Sequence, residues 1–250
     1  MAEHLVFAHR GNSAHAPENT LESFRQAVAL GVDGLEFDVR LSADGEVVVI
    51  HDPTVDRTTN GTGAVNRLTR KQLQALDAGY HFGPPTHPYR SAGVTVPTVA
   101  EALDVTAPLP LIIEVKTIET AEPLLALLQA RSDAQRVTVA SFVAGAVLPF
   151  RRAGLATGAS FAEVRALLAP AVCRFLRSKL PFSIMAIPPH FRGVPLPLGA
   201  LARCIAPANA GLYIWTVNAP RQAQALWRRG IRGILSDDPA TILEARRTLG

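Results

Sequence analysis

The segment at residues 34–52 reads GLEFDVRLSADGEVVVIHD and contains two β-strand patterns separated by a turn. In its first part, Leu, Phe and Val flank two carboxylates, Glu36 and Asp38. A near-continuous apolar run of this kind is typical of a buried strand in a parallel sheet, and residues two positions apart extend from the same face of a strand. Glu36 and Asp38 are therefore expected side by side in an apolar setting, where a carboxylate is costly unless it is paired or bound to a metal.

The second part of this segment predicts a β-hairpin. Its turn, residues 43–45, is too short for a crossover between parallel strands but suits an antiparallel connection. If the turn pairs Leu41 with Glu46, constant register places Glu36 opposite His51. The hairpin would then rise from the sheet and return His51 to the two carboxylates.

Apolar runs rich in Val and Ile recur along the chain, and longer amphipathic stretches separate them. This alternation is typical of parallel α/β folds. Asn19 and Glu22 are expected to cap the first helix, with Asn19 alternatively making a polar contact to the site, and Gly31 is expected to end this helix. Eight strand–helix units in 250 residues predict a (β/α)8 TIM barrel with strands at residues 5–8, 34–39, 111–115, 137–141, 155–159, 183–187, 212–217 and 233–236.

Residues 52–98 interrupt the alternation because they contain no strand pattern. They hold a short helical pattern from about Thr69 to Leu76 and a proline-rich loop. We interpret this stretch as a small insertion after the second strand that folds over the barrel mouth. Residues 1–250 are accordingly expected to form a single domain.

The composition, with 48% hydrophobic and 18% charged residues, excludes a disordered or fibrous chain. The first residues lack a secretion signal, and no apolar run approaches the ~18 residues of a membrane span, so we expect a cytoplasmic protein without stable membrane insertion. Cys173 and Cys204 lack the spacing of a metal site and are expected to be reduced and buried. No feature of the sequence specifies an oligomeric state.

Charge is distributed unevenly along the chain. Residues 1–130 contain 9 basic and 16 acidic residues, whereas residues 131–250 contain 16 basic and 5 acidic ones, which gives a total of +4. A basic half is compatible with polyanion binding, but the arginines are scattered without interleaved aromatic residues or a nucleic-acid-binding motif. We therefore expect a small-molecule substrate and no nucleic acid.

Acidic residues gather at the predicted barrel mouth. Active sites of TIM barrels lie at the carboxyl ends of the strands. There, Glu36 and Asp38 of the second strand are joined by Glu114 of the third. Three carboxylates in one barrel mouth require a cation, and a hard ion with oxygen ligands, Mg²⁺ or Ca²⁺, suits them. The sequence thus predicts one divalent metal ion at these residues.

Histidines and basic residues end the neighbouring strands. His9 follows the first strand and the hairpin delivers His51. Histidine is the side chain suited to proton transfer at neutral pH, and without cysteine neighbours these two fit a general acid and base better than metal ligands. Arg10 and Lys116 add positive charge that suits a phosphate group, although each could instead pair with a carboxylate. Trp215 ends the seventh strand, where it could line the apolar side of a substrate or serve packing alone.

Six short motifs follow one another along the chain: His9-Arg10-Gly11, Pro17-Glu18-Asn19-Thr20, Glu36-Phe37-Asp38-Val39, His51-Asp52, Glu114-Val115-Lys116 and Trp215-Thr216-Val217-Asn218. In this order they resemble the motifs of the glycerophosphodiester phosphodiesterase family. Residues 56–63 and 76–79 resemble the characteristic insertion of that family. The resemblance covers nearly the whole chain, from His9 to about Pro239. Ser236 stands where the family more often has Thr, and Arg232 where an acidic residue is common.

The resemblance implies a fold, a site and an activity. The fold is a TIM barrel related to phosphatidylinositol-specific phospholipases C. Glu36, Asp38 and Glu114 would hold the divalent metal, and His9 and His51 would be the acid/base pair. The activity would be metal-dependent hydrolysis of glycerophosphodiesters to sn-glycerol 3-phosphate and an alcohol.

Two alternatives to this activity remain at this point. An enzyme of the same scaffold could act like a phospholipase D on a lysophospholipid or sphingolipid and release a cyclic phosphate, which an exposed apolar rim would favour. A barrel could also bind phosphodiesters without turning them over. Residues 155–201 carry no motif of the family, and substrate preference is expected to depend partly on them.

Overall fold

The structure of the protein is a computed structural model that describes residues 4–169 and 179–249. Its strands are β1 (Leu5–His9), β2 (Gly34–Leu41), β3 (Val47–Val49), β4 (Leu111–Val115), β5 (Val137–Ala140), β6 (Ala156–Thr157), β7 (Ile184–Ile187), β8 (His190–Phe191), β9 (Val194–Pro195), β10 (Gly211–Ile214) and β11 (Gly233–Ser236). Its helices within these residues are α1 (Leu21–Leu30), α2 (Arg70–Gln74), α3 (Val99–Val105), α4 (Ala121–Gln129), α5 (Leu148–Arg152), α6 (Phe161–Leu167), α7 (Leu198–Ile205), α8 (Pro220–Trp227) and α9 (Pro239–Arg247).

Eight of the strands form a nearly closed parallel barrel. Hydrogen bonds join them in the order β6–β5–β4–β2–β1–β11–β10–β7. A parallel bridge between Gly158 and Ile184 links the two ends of this order. The eight strands coincide with the eight apolar runs of the sequence, so the predicted TIM barrel is confirmed.

Strand register decides which side chains meet at the barrel mouth. Because β1 pairs with β2, His9 lies opposite Glu36. Because β2 pairs with β4, Asp38 lies opposite Glu114. The three strands run parallel, so these four residues reach the same, carboxyl-terminal end of the barrel.

Aromatic rings fill the barrel interior. Phe7 and Tyr213 pack edge to face with ring centroids 5.4 Å apart, inside a buried cluster that neighbouring strands complete. Gly233 faces this cluster, and a Cβ atom at that position would lie 2.1 Å from the Tyr213 ring. The glycine is therefore needed for the close approach of the ring to the backbone.

Gly233→Ala is expected to destabilise the fold by about 1–3 kcal/mol, the usual cost of overpacking a filled core. The added methyl group would overlap the Tyr213 ring, so the ring or the strand must shift. Urea unfolding measures the change. Gly199→Ala in α7 is the matched control, because the nearest atom to its Cβ would be 3.5 Å away. A Gly233→Ala protein as stable as the control would contradict the close-packing argument.

The hairpin formed by β2 and β3 has a register that differs from the predicted one. Leu41 pairs with Val47, so the predicted pairing with Glu46 is wrong by one residue. The cause lies in the turn, because the Ser42 N–H donates to the Glu46 carbonyl oxygen at 2.9 Å and the turn glycine, Gly45, has a left-handed φ of 84°. This hydrogen bond closes a three-residue turn at residues 43–45, so five residues separate the paired Leu41 and Val47. The two strands of the hairpin are antiparallel, as expected.

The insertion is anchored to this hairpin. Its helix α2 occupies part of the predicted stretch at residues 69–76. Val48 and Ile50 of the hairpin belong to one small apolar cluster with residues of the insertion, namely Val55, Val65, Leu73, Ala78 and Val96. The insertion is accordingly attached to the barrel through a shared apolar contact.

Thr20, not Asn19, caps helix α1. The Thr20 hydroxyl accepts from the Ser23 N–H at 3.3 Å, and the Ser23 hydroxyl accepts from the Thr20 N–H at 3.4 Å, which forms a capping box. The predicted cap at Asn19 and Glu22 is therefore wrong. Gly31 ends the helix as predicted, with a left-handed φ of 74°.

Two further expectations concern membranes and cysteines. Within the described ranges, the helices are all too short or too polar to cross a membrane. Cys204 lies half-buried in α7 and is disulfide-bonded, so the expectation of a reduced thiol is wrong for this residue. Cys173 lies outside the described residues.

Candidate active site

The predicted site residues meet at the carboxyl ends of the barrel strands. A cavity of about 310 Å³ opens at this point. Asp38 is buried beside it, with 1% of its surface exposed. The other seven predicted side chains line the cavity, namely His9, Arg10, Glu36, His51, Glu114, Lys116 and Trp215.

Three carboxylates form a compact cluster in this cavity. One oxygen each of Glu36, Asp38 and Glu114 lies within 4.8 Å of the other two. The Oε2 atom of Glu36 is buried and lacks a hydrogen-bond partner among the described residues. Burial, together with the negative charge of Asp38, raises the pKa of Glu36 to about 8. A buried oxygen without a partner, in a set of hard oxygen donors, fits a divalent cation such as Mg²⁺ or Ca²⁺.

Two cations hold Asp38 in its charged form. The Lys116 ammonium lies 2.8 Å from Asp38 Oδ1 and 2.6 Å from Glu114 Oε1, and Arg10 Nε lies 3.1 Å from Asp38 Oδ2. Burial opposes ionisation of Asp38, but the charges of Lys116 and Arg10 outweigh it and lower the pKa of this carboxyl. Lys116 and Arg10 thus pair with carboxylates and also line the cavity.

Asn19 contacts the site through Asp38. Its side-chain amide donates to Asp38 Oδ2 at 3.0 Å and accepts from the Asp38 backbone N–H at 3.3 Å. Asn19 adopts a left-handed φ of 57° to reach this position. Of its two possible roles, the polar contact is the one observed.

His9 is oriented by an aspartate that was not predicted from the sequence. Its Nδ1 atom lies 2.7 Å from Asp237 Oδ1, and its Nε2 atom lies 3.8 Å from Glu36 Oε2. Burial favours the neutral imidazole, but the hydrogen bond to Asp237 and the charge of Glu36 outweigh it and raise the pKa of His9. Asn218 holds the aspartate in turn by donating to its Oδ2 at 2.9 Å. The available signal was its position, because Asp237 directly follows the last barrel strand.

His51 has the same kind of partner. Its Nδ1 atom lies 2.7 Å from Asp52 Oδ1. Hydrogen bonding to Arg57 is the main cause that lowers the pKa of Asp52 to about 2, so this carboxylate is charged at neutral pH. A carboxylate acceptor keeps Nδ1 of an imidazole protonated and leaves Nε2 free for proton transfer.

Arg57 of the insertion connects the two sides of the site. Besides Asp52, it donates to both oxygens of Glu18, at 2.7 Å and 2.8 Å. Glu18 in turn accepts from Arg10 at 2.9 Å. We call this series of ion pairs, Asp52–Arg57–Glu18–Arg10, the Arg57 bridge. Through Asp52 and Glu18, one guanidinium group is thus linked to both His51 and Arg10.

Arg57→Ala is expected to lower kcat by up to about 10²-fold, the range that small misplacement of reacting groups costs. Loss of the guanidinium would release Asp52 and Glu18 together. Steady-state kinetics measures the effect. Arg70→Ala is the matched control, since Arg70 also lies in the insertion and pairs with a carboxylate, Glu101 at 3.2 Å, away from the cavity. Equal kcat in both variants would show that the bridge serves stability alone.

Apolar residues complete the cavity. Trp215 lines it together with Ile112, Ala140 and Leu235. The Trp215 ring packs at a steep angle of 68° against Phe142, with ring centroids 5.9 Å apart. Phe142 also lines the cavity and was not predicted from the sequence. An apolar wall beside a pocket of charged side chains suits an amphiphilic phosphodiester.

Comparisons with known proteins agree with this geometry. The model of the glycerophosphoryl diester phosphodiesterase family matches residues 9–241. A glycerophosphodiester phosphodiesterase from Caldanaerobacter subterraneus is 33% identical, with 98% of this chain and 99% of the relative covered.

Solved structures share the fold. A phosphodiesterase from Oleispira antarctica, in complex with the product sn-glycerol-3-phosphate, has a TM-score of 0.81 and 28% identity over 98% of this chain and 97% of its own. The glycerophosphoryl diester phosphodiesterase domain of a Mycobacterium tuberculosis protein has a TM-score of 0.85 and 24% identity over 98% and 99% of the two chains. The full-length sequence match and the shared barrel lead to one conclusion: this chain belongs to the glycerophosphoryl diester phosphodiesterase family.

Proposed function

We propose that this protein hydrolyses glycerophosphodiesters to sn-glycerol 3-phosphate and an alcohol, in a metal-dependent reaction with His9 and His51 as the acid/base pair. One observation carries the proposal. Two imidazoles, each with a carboxylate on Nδ1, border the same cavity as a cluster of carboxylates. Proton donor, proton acceptor and cation site thus lie within reach of one phosphodiester.

Glu36, Asp38 and Glu114 are the residues that would hold the metal, Mg²⁺ or Ca²⁺. When bound, the ion would supply Lewis-acid stabilisation of the negative charge on the phosphodiester. Arg10 and Lys116 add fixed positive charge to the same pocket and would bind the phosphoryl oxygens. Trp215 and Phe142 would line the less polar side of the substrate.

The two histidines would divide the proton transfers. One imidazole would accept, through its Nε2 atom, the proton of the neighbouring glycerol hydroxyl as this oxygen bonds to phosphorus, and the other would donate a proton to the oxygen of the leaving alcohol. The same pair with exchanged roles would then add water to the resulting cyclic phosphate, which gives sn-glycerol 3-phosphate. Asp237 and Asp52 would keep the two rings oriented by their hydrogen bonds to Nδ1. Arg10 and Lys116 would lower the electrostatic cost of the transition state, because their positive charges are already in place before the reaction.

A substrate panel tests this proposal. We expect glycerol 3-phosphate to form from at least one of glycerophosphocholine, -ethanolamine, -glycerol and -inositol, with loss of the activity in EDTA and recovery after addition of Mg²⁺ or Ca²⁺. Full activity of the chelated protein would contradict metal dependence. Binding of the substrates without any turnover would favour the non-catalytic alternative.

The exposed side chain of Phe142 favours a second candidate function. It borders the cavity with 51% of its surface exposed, so the mouth offers an apolar contact to a lipid. The candidate is phospholipase D-like cleavage of a lysophospholipid or sphingolipid with release of a cyclic phosphate. Phosphorus NMR distinguishes the two functions, because a cyclic end product from micellar lysophospholipid belongs only to the second. The cytoplasmic location stays a prediction.

A further inference from the structure

Exposed apolar side chains are concentrated at the barrel mouth. Among the described residues, eight large apolar side chains are exposed, and six of them follow the carboxyl ends of strands β4 to β7. The other two, Leu30 and Leu168, lie at the carboxyl ends of helices α1 and α6. Helices of a TIM barrel run back toward the opposite end, so these two lie away from the mouth. The asymmetry indicates that the mouth meets an apolar partner.

Three of these side chains form one surface, which we call the outer rim: Phe161, Phe191 and Val194. They are 49%, 46% and 64% exposed, respectively. Phe191 and Val194 are opposite each other in the β8–β9 hairpin, and the ring of Phe161 lies 6.1 Å from that of Phe191 between centroids. The same chain segments contribute Ala159 and Ala186 to the lining of the active-site cavity. The outer rim is therefore adjacent to the cavity entrance.

Two arginines, Arg165 and Arg192, accompany the outer rim. The acidic residue of the same helix as Phe161, Glu163, pairs with Arg151 at 2.8 Å. Arg192, at the tip of the hairpin, lies 5.6 Å from the centre of the Phe191 ring. Arg165 is exposed one helical turn beyond Phe161. The structure gives neither Arg165 nor Arg192 an ion-pair partner among the described residues.

We propose that the outer rim, together with Arg165 and Arg192, docks the barrel mouth on an anionic phospholipid surface. Exposed aromatic and aliphatic side chains enter the boundary between headgroups and acyl chains, while arginines remain at the level of the phosphates. A neutral protein partner would need the apolar patch but not the two arginines beside it, whereas an anionic lipid surface uses both. Docking of this kind is peripheral and requires no membrane-spanning helix.

Docking on a lipid surface would orient the active site toward that surface. A mouth that rests on phospholipid faces phosphodiester groups directly, and Phe142 continues the apolar surface from the outer rim into the cavity. This surface binding has its own readout, so it can be tested without reference to turnover.

Co-sedimentation with vesicles tests the proposal. We expect the wild-type protein to bind vesicles of phosphatidylcholine mixed with phosphatidylglycerol, to bind pure phosphatidylcholine weakly, and to lose binding as salt is added. The triple variant Phe161→Ser, Phe191→Ser and Val194→Ser should bind the anionic vesicles at least about tenfold more weakly. Arg192→Gln should weaken binding about fivefold, as expected for one basic residue at an anionic surface.

Two controls keep the test specific. Leu30→Ser removes an exposed apolar side chain from the other end of the barrel and should bind like the wild type. Turnover of a soluble glycerophosphodiester and the thermal midpoint should be unchanged in the triple variant, because none of its three residues lines the cavity.

Three outcomes would overturn the proposal. The first is a wild-type protein that ignores anionic vesicles, and the second is a triple variant that binds them as tightly as the wild type. The third is a concentration-dependent dimer, seen by analytical ultracentrifugation, that the triple variant abolishes while vesicle binding is absent. In that last case the outer rim would join two copies of the chain.

Discussion

Glu36→Gln is expected to abolish metal-dependent turnover while the folded protein stays intact. The substitution removes a charged oxygen from the carboxylate cluster but preserves the volume of the side chain, and the affinity for metal ions of this class falls as charged ligands are lost. Asp38→Asn and Glu114→Gln should have the same effect. Activity at saturating Mg²⁺ or Ca²⁺ measures the loss, and Glu119→Gln, an exposed residue beyond β4, is the matched control.

Stability separates this loss from misfolding. The pKa of Glu36 is raised to about 8, above its ordinary value of 4.5. Since a raised carboxyl pKa means that the folded state disfavours the charged form, Glu36 lowers the stability of the metal-free protein as pH rises from 4.5 to 8. Metal-free Glu36→Gln should therefore melt at or above the wild-type temperature at neutral pH. Metal should raise the thermal midpoint of the wild type only, and a Glu36→Gln protein with normal turnover would refute the assignment.

His9→Ala and His51→Ala are each expected to reduce kcat by about 10²- to 10⁴-fold, the range that general acid–base groups supply. Both rings line the cavity and neither belongs to the apolar core, so thermal midpoints should stay near the wild-type value. Turnover per folded molecule is the relevant measurement. His15→Ala provides the control. His15 lies in the loop after β1, its side chain is exposed, and its Nε2 atom lies 3.4 Å from Asp238 Oδ1. Normal turnover in an unstable His9 or His51 variant would mean that the histidine is structural.

The barrel and the convergence of the site residues were predictable because both depend on simple periodicities. Apolar runs mark the strands, and parallel strands bring their carboxyl ends together. Glu36, Glu114 and His9 could therefore be placed near one another from sequence alone, and the register of β1, β2 and β4 agrees. The hairpin register was not predictable to the residue, because the apolar pattern does not specify which residue closes the turn at residues 43–45, and Ser42 rather than Leu41 faces Glu46.

The residues that orient the site were missed because their partners are remote in the chain. Asp237 is separated from His9 by 228 positions, and Arg57 from Glu18 by 39, so no local pattern connects them. Asn19 was misleading for a different reason. Asparagine is a frequent helix cap. Here the adjacent Thr20 caps the helix, while the Asn19 side chain donates a hydrogen bond to Asp38.

The Arg57 bridge restricts how this protein can diversify. Loops at the mouth of a barrel are commonly exchanged during evolution because the scaffold tolerates changes in their sequence and length. Here the insertion supplies the guanidinium that holds Glu18, a residue of the loop after β1, through two hydrogen bonds. A transplanted insertion would have to bring an arginine to the same place, or Glu18, one of the two carboxylate partners of Arg10, would lose these bonds. The insertion and the loop after β1 are thus expected to be inherited together, whereas the β8–β9 hairpin, which the bridge does not reach, can be replaced without such a partner.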